Sequence, residues 1–258
     1  MEIVIMPSAE HVGRFAAERV VRLVARRPQA VLGLATGSSP SAAYSELARR
    51  RAKGIDFSRV RGFALDEYVG IPREAPQSYF SVVRTEIVEP LGMDPSLIRV
   101  PDGLAVDLEA ACAEYDAAIA AAGGIDLQIL GIGGNGHIGF NEPTSSLSSR
   151  TRPKALAPRT RRDNARFFAA EADVPEYCVT QGLGTILEAA ELLLVAQGED
   201  KAEAIARAVE GPLSSFVPAS VLQLHPRALV IIDETAASGL RNSDYYRHAL
   251  GSEADRWV

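Results

Sequence analysis

Short apolar runs alternate with longer stretches of helical periodicity along almost the whole chain, and few folds accommodate that alternation. The runs are 2–6 (EIVIM), 30–35 (AVLGLA), 60–65 (VRGFAL), 97–100 (LIRV), 125–133 (IDLQILGIG), 190–197 (AELLLVAQ) and 228–233 (ALVIID). After the first, Val12, Phe15, Ala16, Val20, Leu23 and Val24 recur at three- and four-residue steps, the apolar stripe of a helix. A second helix is expected over 41–54, with Pro40 near its first turn and Gly54 past its end. Others are expected over 78–89, over the alanine-rich 107–124, and from about Asp200. Strands joined by helices imply right-handed crossovers. The expected fold class is therefore α/β, a doubly wound, mainly parallel, Rossmann-like sheet with helices on both faces. At 258 residues the chain is near the upper size for one core, so a single domain over 1–258 is expected. Residues 144–180 break the rhythm, being rich in arginine, serine and proline. A long aperiodic stretch inside a compact domain is often functional, and a mobile lid is expected at about 152–180.

Composition narrows the function classes. A net charge of −6 gives no general attraction to nucleic acid or anionic lipid. Cys112 and Cys178 match no metal spacing and read as reduced thiols. No apolar run approaches a membrane span, and "MEIVIMPSAEH" has an early acid and no basic region typical of a signal peptide. A cytoplasmic protein is expected, and no metal-ligating spacing is read. Only Lys53, Lys154 and Lys201 are lysines among 27 basic residues, so each lysine is a little more informative than usual.

In such a fold ligands bind beyond the carboxyl ends of the strands, and three unusual segments fall there. The first is "ATGSSP", residues 35–40. Its small residues let backbone N–H groups approach a ligand, and the start of a helix favours an anion such as phosphate. The same residues also read as a plain strand–helix turn with Ser39 as N-cap. The segment is neither a Walker loop nor a dinucleotide fingerprint.

The second is "FALDEYVG", residues 63–70, which places Asp66 and Glu67 after an apolar strand. A carboxylate there is placed to act as a base, and partial burial raises its pKa. The alternative is a pair of solvated turn acids. The third is "LGIGGNGHIGFNEP", residues 130–143, with five glycines between Gly131 and Gly139. Of the four histidines, only His137 has such a setting, with Glu142 five residues on. Imidazole exchanges protons near neutral pH. A turn histidine bonded only to backbone would explain neither the glycines nor the carboxylate. The glycines are therefore expected to clear room for a substrate.

Taken in order, "LGLATGSSP", "FALDEYVG", "GIGGNGHIGFNEP", "SSRTR" and "LQLHP" resemble the glucosamine-6-phosphate deaminase family over nearly the whole chain. The resemblance implies an isomerase and amino-sugar hydrolase acting in amino-sugar (N-acetylglucosamine) catabolism. It would convert D-glucosamine 6-phosphate to D-fructose 6-phosphate and ammonia without a cofactor. Carried over by position, His137 would open the sugar ring, supported by Glu142 and Asn135, and Asp66 would move a proton from C2 to C1. Phosphate would sit on Thr36, Gly37, Ser38 and Ser39, with Arg166 and Lys201 as cations; on spacing alone both would read as surface residues. An effector site for N-acetylglucosamine 6-phosphate would use Ser145, Ser146, Arg152 and Lys154, which otherwise read as a solvated basic loop. A homo-oligomer is also implied. Some members carry aspartate where this chain has Asn135, which leaves the division of labour between Asn135 and Glu142 open.

Two rival readings stand beside this one. A 6-phosphogluconolactonase would share the fold and a glycine-rich histidine motif, but "DEYVG" and "FNEP" argue against it. A sugar-phosphate sensor would need a DNA-binding module, and the first strand is expected from residue 2.

Overall fold

The structure is a computed structural model that describes residues 1–249. Its strands are β1 (Glu2–Met6), β2 (Val31–Leu34), β3 (Arg61–Ala64), β4 (Asp66–Tyr68), β5 (Ile98–Arg99), β6 (Leu127–Leu130), β7 (Arg152–Ala155), β8 (Tyr177–Thr180), β9 (Leu192–Ala196) and β10 (Ala228–Asp233). The helices are α1 (Ala9–Arg26), α2 (Ser38–Arg51), α3 (Tyr79–Val83), α4 (Glu89–Leu91), α5 (Leu108–Ala121), α6 (Pro158–Asn164), α7 (Leu183–Leu187) and α8 (Ala202–Val209). A π-helical turn over Arg84–Val88 joins α3 to α4.

Seven strands form one parallel sheet in the order β1-β10-β9-β6-β2-β3-β5. From β2 the chain moves outward to β3 and β5. It then returns to β6 beside β2 and runs the other way to β9 and β10. Right-handed crossovers therefore put α1 and α2 on one face and α5 and α8 on the other. The inner strands are buried along their length, as a sheet covered on both faces requires. α1 sends Val12, Ala16, Val20 and Val24 into this core at four-residue steps. α5 starts where the Asp107 carboxylate accepts the Ala110 N–H at 2.9 Å. The winding direction reverses between β2 and β6, so a crevice opens there at the carboxyl ends of the strands.

Three sequence readings need correction. Asp66 and Glu67 are not turn acids. They form β4, which pairs antiparallel with β8, Asp66 opposite Thr180. The aperiodic 144–180 region also has structure: β7, α6, two short 3-10 turns and β8, with a small sheet in the order β4-β8-β7. Four-residue strands of uneven burial are too short to print a period on the sequence. Finally α2 begins at Ser38, and Gly37, at φ +95°, holds the capping position in place of Ser39. The small sheet covers a second apolar cluster of Tyr68, Ile71, Phe140, Leu156, Val174 and Cys178. Among the described residues no helix is long and apolar enough to cross a membrane.

Candidate active site

The loop after β6 folds back on itself. Gly136, at φ +86°, donates to the Gly133 carbonyl at 2.8 Å, and the Gly133 N–H donates to the His137 carbonyl at 2.9 Å. A side chain at Gly133 would lie 2.2 Å from Cε1 of His137. One at Gly134 would lie 2.8 Å from the Arg159 guanidinium, and one at Gly136 would lie 2.8 Å from Val217. These glycines make room for the protein's own side chains, the His137 imidazole first. The expectation that they clear space for a substrate is corrected accordingly.

His137 is partly open to solvent, and its Nδ1 stands 3.7 Å from Oε2 of Glu142, an ion-pair distance rather than a hydrogen bond. Asn135 does not touch the imidazole. Its Nδ2 donates to Glu142 Oε2 at 2.8 Å, and its Oδ1 accepts the His137 backbone N–H at 3.1 Å. Asn135 thus sets the carboxylate and the histidine backbone, and Glu142 faces the ring. The other Glu142 oxygen accepts the Ala157 N–H at 3.2 Å, just ahead of α6. Burial alone would push the Glu142 carboxyl up. The adjacent His137, with Thr160 and Asn135, outweighs it and holds the pKa down at about 2.

The acids on β4 face different surroundings, because neighbouring residues on a strand point to opposite sides. Glu67 is buried and accepts three backbone N–H groups, from Tyr68 at 2.8 Å, Tyr79 at 2.9 Å and Phe80 at 2.9 Å. Burial raises its pKa, against those bonds. Asp66 lies by the histidine loop, since a side chain at Gly139 would come 3.5 Å from its Oδ2. Burial, reinforced by the charge of Glu67 and opposed by the Phe140 N–H, pushes the Asp66 carboxyl up to about 8. Thr180, opposite Asp66, accepts the Phe140 N–H at 3.1 Å and so ties β8 to the same loop. Sequence reading missed Thr180, whose partner lies 40 residues away in the chain.

On the other side of the crevice, Thr36 and Gly37 lead into α2, whose first turn carries Ser38 and Ser39. Gln197, after β9, donates to the Ser38 and Ser39 carbonyls, both at 3.1 Å. Ser39 lies against Gly131 at the root of the histidine loop. Lys201 follows in the next turn, with Nζ 3.0 Å from Asp200. Arg166 lies on the 3-10 turn after α6. Its exposed guanidinium stands over the Phe167 ring at 4.7 Å, with no ion pair among the described residues.

The remaining predicted group flanks Glu142. The Ser145 hydroxyl is buried with no hydrogen-bond partner, and Ser146 is exposed with its hydroxyl 3.2 Å from that of Ser148. Arg152 donates from Nη1 to Asn141 Oδ1 at 2.9 Å, while its buried Nη2 has no partner. Lys154, two residues on along β7, has no ion pair among the described residues. The site as a whole offers a protonatable carboxyl, a carboxylate–imidazole pair and a helix start. That set can move protons on a small anion.

The family model described as glucosamine-6-phosphate isomerases/6-phosphogluconolactonase matches residues 7–231. A glucosamine-6-phosphate deaminase of Pseudarthrobacter chlorophenolicus is 55% identical over 253 residues, covering 98% of each chain. One from Rhodococcus opacus is 58% identical over 251 residues, 97% of this chain and 96% of that one. The solved structure of a monomeric glucosamine-6-phosphate deaminase superposes with a TM-score of 0.90 at 39% identity, over 93% of this chain and all of the other. A 6-phosphogluconolactonase from Trypanosoma cruzi shares the fold, with a TM-score of 0.75 at 18% identity over 93% of this chain and 97% of the other.

Proposed function

The chain belongs to the family of glucosamine-6-phosphate isomerases and 6-phosphogluconolactonases. On that basis we infer that it is an enzyme that isomerises and deaminates D-glucosamine 6-phosphate, giving D-fructose 6-phosphate and ammonia. The relatives above 50% identity bear the deaminase name. The lactonase likeness stands at 18% identity and speaks for the fold alone.

The observation that carries the mechanism is Asp66, buried and facing the histidine loop. His137, backed by the Glu142 carboxylate, shuttles a proton between the anomeric hydroxyl and the ring oxygen, which opens the pyranose. Asp66 then removes the C2 proton of the open chain and returns it at C1 through the enolamine. Water adds to the resulting C2 iminium, and collapse of that adduct releases ammonia. The phosphate lies on Thr36 to Ser39 at the start of α2, where backbone N–H groups and the helix dipole favour a dianion. Lys201 and Arg166 supply the cations. Ammonia release and fructose 6-phosphate formation from glucosamine 6-phosphate by the purified protein test the reading. Hydrolysis of 6-phosphogluconolactone without ammonia release would replace it.

An effector site for N-acetylglucosamine 6-phosphate at Ser145, Ser146, Arg152 and Lys154 is part of the proposal. Its support is the unpartnered Ser145 hydroxyl, Arg152 Nη2 and Lys154 ammonium around one loop. Arg152 also bonds Asn141, the neighbour of Glu142, so a ligand there acts on the catalytic loop over one residue. The effector is expected to lower KM about 5–150-fold, the usual range of such coupling. Lys154→Ala should remove the response and keep basal turnover. Kinetics of the parent indifferent to the acetylated sugar phosphate would leave these residues a structural role. The proposed assembly is a homo-oligomer covering the exposed Leu213, Phe216 and Leu224. The proposed location is the cytoplasm, in keeping with two free, buried thiols.

A further inference from the structure

Tyr68 is held among groups from both the base strand and the 152–180 segment. It is 1% exposed and lies two residues after Asp66, on the same face of β4. Its hydroxyl accepts from Asn164 Nδ2 at 2.8 Å. Its ring meets Phe168 edge-on, with centroids 5.6 Å apart. Asn164 and Phe168 stand two residues before and two residues after Arg166. Both flanks of that arginine therefore rest on one tyrosine. Behind the ring, Tyr79 stacks at 5.1 Å and Phe140 of the histidine loop packs at 5.6 Å, so the tyrosine cannot easily shift. Arg166 itself has no ion pair among the described residues, and its guanidinium stands over the ring of its neighbour Phe167. Its place is set by its backbone, whose two flanks rest on Tyr68 and which Arg161 also ties to the Val174 carbonyl. The other end of α6 is tied by the Ala157 N–H to Glu142.

We propose that Tyr68 is a positioning residue that holds Arg166 at a set reach from Asp66, so that the enzyme measures the span from the substrate's C2 to its phosphate. This rests on the assignment of Arg166 to the phosphate. A purely packing role would need the ring alone, and phenylalanine would serve; the hydroxyl accepts from Asn164 at 2.8 Å and, at a longer 3.5 Å, from the Tyr79 hydroxyl.

Tyr68→Phe keeps the ring and removes the acceptor. The loss of the bond from Asn164, the shorter of the two the hydroxyl accepts, should raise KM for glucosamine 6-phosphate about three- to tenfold, with kcat within about twofold. Asn164→Ala, which removes the donor at a half-buried position, should reproduce the shift and so covers the case of poor folding in the first variant. In an Arg166→Ala background Tyr68→Phe should add nothing, because both act through the same contact. A parental KM in Tyr68→Phe while Arg166→Ala raises KM would overturn the proposal alone. An undiminished effect of Tyr68→Phe in the Arg166→Ala background would do the same. A parental KM in Arg166→Ala would overturn the assignment of Arg166, and this proposal with it.

Discussion

Asp66→Asn is expected to lose at least about a hundredfold in turnover while still binding sugar phosphate, because a positioned general base contributes that much or more. Asparagine fills the same space but cannot accept the C2 proton. Near-parental turnover in a folded variant would remove Asp66 from the mechanism. The same substitution has a second, independent signature. Folded Asp66 titrates near 8, pushed up by burial and by Glu67, against 3.8 for an ordinary aspartate. Between those values the folded protein holds a proton that the unfolded chain releases, so stability falls as pH rises across this window. Asparagine has no such proton. The stability of Asp66→Asn relative to the parent should therefore climb between about pH 5 and pH 8, by at most about 1.4 kcal/mol per pH unit. Chemical denaturation at several pH values measures this. A difference that stays flat across the window would mean that Asp66 ionises normally.

His137→Gln is expected to slow the cyclic substrate by about 10²- to 10⁴-fold, the range of a lost acid–base group. Glutamine keeps a polar side chain but cannot relay a proton between the ring oxygen and the anomeric hydroxyl. Exchange of the C2 proton of an open-chain analogue belongs to Asp66 and should continue at close to the parental rate. Exchange followed by NMR in deuterated buffer, beside turnover of the cyclic sugar, separates the two steps. Equal losses on cyclic and open-chain molecules would contradict the ring-opening role. In the parent, His137 does most to hold the Glu142 pKa down against burial, with Thr160 and Asn135 contributing.

The pieces that were legible in the sequence are local ones. A strand, a turn and a helix occupy consecutive residues. Their period, caps and glycines lie within one window of the chain, so the seven runs could be read as a doubly wound sheet. The three loops at the strand ends came with them: residues 35–40, 63–70 and 130–143. Because each loop follows its own strand, the parallel sheet brings all three to one edge whatever the packing details. Asp66, His137, Glu142 and the small-residue loop 35–40 needed nothing further to be selected as candidates.

What only the tertiary structure decided depends on pairs far apart in the chain. The sequence shows two adjacent acids at 66 and 67, and burial and hydrogen bonding tell them apart. Glu67 is tied up by the N–H groups of Tyr79 and Phe80, while Asp66 meets a loop more than 70 residues away. The glycines of the histidine loop are read correctly only when Arg159 and Val217 are seen against them. Gly33 is similar: it looks like a weak point in β2, but the buried Gln128 side chain of the neighbouring strand occupies the space a side chain there would need. The small sheet of β4, β8 and β7 and the contact of Asn164 with Tyr68 have no sequence signal, because short strands and single side-chain bonds carry no period. Local backbone preference acts over a few residues and is written in the order of the chain. Burial and side-chain partnership act through space, so they exist only once the sheet has closed.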